Sequence, residues 1–214
     1  MWAIVPYKGA PSGKSRLAEH LNLEQRSELA SSMLRDVLQA LFDSKFLSGI
    51  ILATPSSLDD SFDDSRVKVF RDSAKSLAAA IAEASDYAVE QFAAESTFVV
   101  PADIPLVTSR DIDFAIENHG QVTIIPDEND IGTNGLLCTP PNAFRYVFDG
   151  KSFLPHLHAA KKAGLDPKVV RLSAFGHDVD TIYDLARIAD LIPDSYTGKA
   201  IRSRGLLAKK TRQC

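Results

Sequence analysis

Apolar positions along the chain follow two rhythms. Trp2-Ala-Ile-Val-Pro6, Gly49-Ile-Ile-Leu-Ala53, Ser96-Thr-Phe-Val-Val100 and Val122-Thr-Ile-Ile-Pro126 are short, nearly unbroken apolar or β-branched runs. Such runs mark strands covered on both faces. Val67–Phe70, Thr133–Cys138 and Val169–Leu172 read as further short strands, with Pro140-Pro141 breaking the chain after the second. Between them the period changes to that of a helix. Over 23–42, Leu29, Met33, Leu34, Val37, Leu38 and Leu41 share one face, and Asn22 with Gln25 forms a capping-box signature. Helices are also predicted over 76–92, with Leu77, Ile81, Ala84 and Ala88 inward, over 109–118, over 152–163 with Ser152 as cap, and over 181–192 with Thr181 as cap and Asp184 in the first turn. Residues 54–65, rich in Ser and Asp, read as a loop.

Strands alternating with helices predict an α/β fold: one Rossmann-like domain over residues 1–194, with a mostly parallel, twisted sheet and helices on both faces. The turn-linked run Val122–Cys138 predicts a small antiparallel excursion. Residues 195–214 carry six cations (Lys199, Arg202, Arg204, Lys209, Lys210, Arg212) and no acidic residue, and read as a solvated basic tail.

Composition narrows the function classes. Hydrophobic residues make up 45% of the 214, enough for a sizeable core, while a net charge of −4 argues against a nucleic-acid-binding surface. Cys138 and Cys214 form neither a disulfide framework nor a metal-type spacing with histidine, which fits a reducing cytoplasm. No secretory leader and no apolar run of membrane-spanning length is visible, so no membrane partner is expected. Neither a monomer nor a homodimer is favoured by the sequence.

Candidate chemistry begins in Tyr7–Leu17 (YKGAPSGKSRL), between the first strand and the first long helix. Glycines that let the backbone approach, with Lys8, Lys14 and Arg16, suit a polyphosphate, although a solvated basic loop has the same composition. GAPSGKS resembles a Walker A loop but has three residues between its glycines where that motif needs four. Asp103 follows a strand end, where open α/β sheets bind ligands, and the bland alternative is turn chemistry before Pro105. In His177-Asp178-Val179-Asp180-Thr181, alternation puts both carboxylates on one face. Capping of the next helix explains one of these polar residues but not the pair. Asp103, Asp178 and Asp180 together could hold Mg²⁺ against a triphosphate. Gly132-Thr-Asn-Gly135 and Gly150-Lys-Ser-Phe-Leu-Pro-His156 supply hydroxyls on Thr133 and Ser152, a cation on Lys151, and a histidine one turn from Ser152. A lone helix histidine is more often a packing or surface residue than a catalyst.

In this order (the PxK-type loop ending KSRL, then ADIP, GTN, GxSFxxH and DVDT before a helix) the motifs resemble the 2-phospho-L-lactate guanylyltransferase family of deazaflavin coenzyme F-420 biosynthesis. That family is related to the molybdenum-cofactor and sugar-nucleotide nucleotidyltransferases. The resemblance spans about residues 2–191. It implies a nucleotidyltransferase domain in which the phosphate of a three-carbon phosphoacid attacks the α-phosphorus of GTP and pyrophosphate leaves. The acid differs among members: 2-phospho-L-lactate, phosphoenolpyruvate or 3-phospho-D-glycerate. Carried over by motif, Lys8, Lys14 and Arg16 bind and polarise the triphosphate, with Lys14, Arg16 and Asp103 as the catalytic set. Asp103, Asp178 and Asp180 hold Mg²⁺, Thr133, Asp149, Gly150 and Ser152 take the phosphoacid, and Ser76 falls in the nucleotide-binding stretch.

The chain departs from the family twice. Phe148-Asp149-Gly150-Lys151-Ser152 stands where FGxGS is usual, which bears on the acid, since Lys151 favours extra negative charge and Asp149 opposes it. Ser76-Leu77-Ala78 stands where a GLN triplet lies near the base, leaving guanine to be read elsewhere, for instance by backbone at 53–56. The alternatives are a nucleotidyltransferase using CTP or a sugar phosphate, a P-loop NTPase or kinase, and a non-catalytic nucleotide binder.

Overall fold

The structure, a computed structural model, describes residues 1–9, 14–55 and 64–207. The middle of the Walker-like stretch (10–13), most of the 54–65 loop, and Lys209, Lys210, Arg212 and Cys214 lie outside the described residues.

Among the described residues seven strands form one sheet: β1 (Trp2–Pro6), β2 (Gly49–Thr54), β3 (Val67–Arg71), β4 (Thr97–Val99), β5 (Val122–Pro126), β6 (Thr133–Cys138) and β7 (Pro167–Val169), in the order β3-β2-β1-β4-β6-β5-β7. Only β6 runs against the rest, pairing antiparallel with β4 and with β5. This is the expected excursion. Its effect is to bring the start of β6, at Thr133, to the sheet edge where the parallel strands end.

Alternating side chains feed two cores. Ala3, Val5, Ile50, Leu52, Phe98 and Leu137 point to the face covered by α1 (Leu23–Phe42) and α3 (Ser109–Glu117). Ile4, Ile51, Ala53, Val99, Ile124 and Leu136 point to the face covered by α2 (Leu77–Phe92) and α4 (Phe153–Lys162). Each such aliphatic burial is worth about 1.5–3 kcal/mol. Helix α1 starts where the sequence places it, because Asn22 Oδ1 accepts from Gln25 N (2.9 Å) and Gln25 Oε1 accepts from Asn22 N (3.0 Å). No helix among the described residues is long and apolar enough to cross a membrane.

Four local expectations are corrected. Strand β7 is Pro167–Val169, not 169–172. Its ladder with β5 ends after Val170 N donates to Ile124 O (3.1 Å), because the next rung needs an N–H that Pro126 lacks, and the chain turns into a short 3-10 helix at Ser173–Gly176. Ser152 stands at the start of α4 but makes no side-chain cap bond; its backbone is already helical, and Phe153 N donates to Ile131 O (3.0 Å) instead. In α2 the fully buried set is Ala80, Ile81, Ala84, Ser85 and Ala88, while Leu77 packs against the core only half-buried and also lines a cleft.

The fourth correction concerns the basic tail. Tyr196–Ser203 is a helix, α6, that packs on α1 and on α5 (Ile182–Ala189). Lys199, Arg202 and Arg204 point outward, so average composition hides a face on which Thr197, Gly198, Ala200 and Ile201 are buried. Gly198 is required by contact, since a Cβ there would overlap the carbonyl of Ile192. The Asp36 carboxylate, on α1, caps α6 by accepting from Tyr196 N (2.9 Å) and Thr197 N (2.8 Å). Asp36→Ala orphans both donors. It is expected to cost about 1–2 kcal/mol, or roughly 2–8 °C in Tm. A thermal melt followed by circular dichroism that matches the wild type would show that this cap contributes nothing.

Candidate functional site

The site lies along the carboxyl ends of the parallel strands, where this type of sheet binds ligands. Tyr7, Lys8 and Gly9 leave β1, Pro101, Ala102 and Asp103 follow β4, and Leu77 opens α2. With Lys14, Ala30, Met33 and Asp180 they line a cleft of about 290 Å³. Its lining combines the apolar side chains of Ala30, Met33 and Leu77 with one charged end, where Lys14, Asp103 and Asp180 meet.

At that end Lys14 Nζ lies 2.6 Å from Asp103 Oδ2 and 2.9 Å from Asp180 Oδ1, and Arg16 Nη1 donates to Asp180 Oδ2 at 3.1 Å. The Lys14 side chain is 9% exposed and that of Arg16 73%. The Lys14 pairs are therefore sheltered, and the Arg16 pair sits mostly in water, where such contacts contribute little. Burial alone would lower the Lys14 pKa, but the charges of Asp103 and Asp180 and their hydrogen bonds outweigh it and raise the ammonium above its ordinary value. Lys14 also holds a left-handed backbone (φ +57°), a conformation that costs a non-glycine residue about 1–2 kcal/mol. Strain of this kind, offset by two ion pairs, is common where a side chain must be fixed for function.

The second acidic segment is held by backbone. Val179 N donates to Asp103 O (3.0 Å), and Val179 is fully buried, so Asp178 and Asp180 face away from the core. Asp184 Oδ2 accepts from Asp180 N (3.1 Å) and Thr181 N (2.7 Å), and Thr181 caps α5 as expected. Asp178 accepts from Asn134 Nδ2 at 3.2 Å. Its carboxyl is pushed up by burial first, then by the neighbouring Asp103 charge, with Asp180 adding less and Asn134 opposing. Asn134 is anchored in turn on Phe175 O at 2.8 Å.

Beside Asn134 is the hydroxyl cluster. Thr133 Oγ1 lies 2.9 Å from His156 Nδ1, and both residues are buried. A Cβ added to Gly132 would lie 3.9 Å from Gly150 O, so the Thr133 turn and the Gly150 turn are neighbours. Gly150 has φ +85°, a conformation suited to glycine, and Asp149 Oδ1 accepts from Lys151 N (3.0 Å). Ser152 is buried at the start of α4.

Lys14, Arg16, Asp103, Asp178 and Asp180 therefore converge, Lys8 lines the same cleft as an exposed residue, and Thr133, Asp149, Gly150 and Ser152 form the adjoining shelf. Ser76 stands apart. Its Oγ accepts from Ala79 N (3.2 Å) as the cap of α2, and it lines a separate groove with Asn142 and Arg145. Sequence reasoning assigned no role to Asn134 or to the cleft-wall residues Ala30 and Met33. The asparagine was visible in the GTN motif, but its partner lies 44 positions away.

Among the described residues no three metal-ligating side chains are grouped so as to hold a metal ion, and the Lys14 ammonium lies between Asp103 and Asp180. The donor chemistry nonetheless fits a hard divalent cation. Asp103 and Asp180 share the Lys14 ammonium, the charges of both reach Asp178, and carboxylate oxygens are the donors such an ion takes.

Residues 1–212 match the family described as guanylyl transferase, CofC like. The chain is 30% identical over 205 residues to a phosphoenolpyruvate guanylyltransferase of Sphaerobacter thermophilus, covering 89% of this chain and 93% of the relative. It is 28% identical over 208 residues to a 2-phospho-L-lactate guanylyltransferase of Methanocaldococcus jannaschii, covering 96% and 90%. In fold it is similar to a protein of Desulfovibrio desulfuricans provisionally described as a nucleotide-diphospho-sugar transferase, with TM-score 0.75, 16% identity and 97% of each chain covered. It is also similar to a nucleotidyl transferase of Methanothermobacter, with TM-score 0.58, 16% identity, and 89% and 97% covered.

Proposed function

The chain belongs to the guanylyl transferase CofC-like family, and from that premise we propose that it transfers GMP from GTP to the phosphate of a three-carbon phosphoacid in coenzyme F-420 biosynthesis. The observation that carries the proposal is the convergence of Lys14, Arg16, Asp103, Asp178 and Asp180 beside the Thr133–Ser152 shelf. An oxygen of the acid's phosphate forms a bond to the α-phosphorus of GTP, and the bond from that phosphorus to the bridging oxygen of the β-phosphate breaks. The bond electrons leave with pyrophosphate. The attacking group is already an anion, so no general base is needed, and catalysis reduces to positioning and charge neutralisation.

Lys8, Lys14 and Arg16 bind the triphosphate, with Lys14 and Arg16 offsetting charge on the departing pyrophosphate. Thr133 and Ser152, with the backbone at Asp149 and Gly150, bind the acid. Asp103, Asp178 and Asp180 would hold Mg²⁺, which supplies charge neutralisation on the phosphates when bound. The apolar wall of Ala30, Met33 and Leu77 gives the nucleoside a dry surface. Ser76 contributes through the first turn of α2. We place the activity in the cytoplasm, on the cysteine usage.

The test is direct. The protein is incubated with Mg²⁺ and each nucleoside triphosphate, crossed with 2-phospho-L-lactate, phosphoenolpyruvate and 3-phospho-D-glycerate, and products are read by mass. Pyrophosphate and a guanylylated acid are expected with GTP. Pyrophosphate only with CTP would move the chain to a different base, and none in any combination would sink the proposal.

A further inference from the structure

His156 is the one fully buried histidine near the shelf among the described residues, and guanylyl transfer as derived above leaves it without a role. Both of its ring nitrogens are engaged. Val147 N donates to Nε2 at 2.9 Å, and a main-chain amide can only donate. The nitrogen that receives it carries no proton, so in the neutral ring the proton is on Nδ1. Nδ1 lies 2.9 Å from Thr133 Oγ1, and the bond between them therefore runs from the ring to the hydroxyl oxygen. With that lone pair taken, the hydroxyl's own hydrogen must point away from His156.

We propose that His156 is a positioning residue that holds the Thr133 hydroxyl in one orientation, as a hydrogen-bond donor to an anionic oxygen of the phosphoacid. The proposal rests on the guanylyl-transfer assignment of the Thr133 shelf. Two further features support it. The rings of Phe148 (centroid 4.7 Å, interplanar angle 69°) and Phe144 (5.8 Å, 77°) stand edge-on to the imidazole and fix its plane. Burial pushes the His156 pKa down to about 4, with Asp149 opposing, so the ring stays neutral and keeps one tautomer throughout the neutral pH range. Without such a lock the threonine hydroxyl rotates among three staggered positions and serves as donor in only some of them.

A purely structural histidine would stabilise the fold and leave the acid untouched, so the experiment must separate these roles. His156→Asn keeps an amide donor near the Nδ1 position, and His156→Gln moves the polar atoms toward Nε2 and withdraws the donor from Thr133. The Gln variant is expected to raise KM for the acid roughly tenfold or more with KM for GTP unchanged, since a hydrogen bond to a charged group is lost. The Asn variant is expected to stay within about threefold of wild type. In the Thr133→Val background the same His156 changes should leave the acid KM where Thr133→Val alone puts it. If the Gln variant does not fold, the wild type carries the test through ¹⁵N spectra of its histidines. A proton on Nδ1 and a resonance that shifts as the acid is added support the proposal. A proton on Nε2, or no shift with an acid that turns over, overturns it. Turnover with an unchanged acid KM in folded His156→Gln overturns it too. If the wild type releases no pyrophosphate with any of the acids, the functional assignment fails first and this proposal fails with it.

Discussion

Asp103→Asn is expected to lower kcat about a thousandfold in a protein that remains folded. The carboxylate has two tasks in the proposed reaction: it fixes the Lys14 ammonium at 2.6 Å, and it is one of the three carboxylates proposed to hold the divalent cation. Loss of a single preorganised electrostatic group typically costs a hundredfold to a thousandfold, and here one atom change weakens two. The fold is spared for identifiable reasons. Lys14 keeps Asp180 as partner, the main-chain bond from Val179 N to Asp103 O does not involve the side chain, and the neighbouring Ile104 stays in the core. Single-turnover pyrophosphate release, run beside a thermal melt, measures both halves. Activity within tenfold of wild type would remove Asp103 from the reacting centre.

Lys14→Met should produce two large effects of opposite sign. Turnover with GTP falls about a thousandfold, because a buried cation facing the triphosphate is replaced by an uncharged side chain of similar length. Affinity for a divalent cation without nucleotide rises, by about tenfold or more. In the wild type the ammonium lies between Asp103 and Asp180 and competes with any ion for those oxygens. Once it is gone, Asp103 and Asp180 lose their shared counter-charge with Asp178 still within reach of both charges, and a bound cation relieves repulsion that the ammonium had relieved. The melting temperature of Lys14→Met should accordingly become dependent on added Mg²⁺, as binding to the native state alone requires. A Mn²⁺ titration by electron paramagnetic resonance, without GTP, gives the affinity. Weaker binding than wild type would mean that Lys14 helps to build the cation site and does not compete for it.

Much of this was legible in the sequence because it is decided locally. The start of α1 follows from Asn22 and Gln25, three residues apart, and the double-faced burial of β2 and β5 follows from their unbroken apolar runs. The acidic cluster was legible for a different reason. Asp103 and the Asp178–Asp180 pair each sit where chain leaves the core, and sheet topology takes such points to one edge, so separations of 89 and 166 residues from Lys14 did not hide them. What the sequence hid depends on partners that no local window contains. Helix α6 has Ser195 as its local cap, but its first two N–H groups are held by Asp36, 160 residues earlier, and its buried face by α1 and α5, so from composition its cations read as solvent-exposed chain. The end of β7 depends on Pro126 in another strand, and the direction of the hydrogen bond between His156 and Thr133 depends on an amide of Val147. Ser76 was placed by alignment to a motif, and its side chain proves to be committed to its own helix.

The clamp between α1 and the last helices has a consequence for the nascent chain. Leu29 and Met33, on α1, are covered by Ile182, Leu185 and Ile188 of α5 together with Ile201 and Leu206. A ribosome that has made the first hundred or so residues has therefore released α1 with one apolar flank bare, and such surface invites aggregation or capture by a chaperone until residues 182–206 follow. Asp178 and Asp180 directly precede that segment. Protection from misassembly and two of the three cluster carboxylates thus arrive in the same stretch of translation, and a product that stops short of it would lack both.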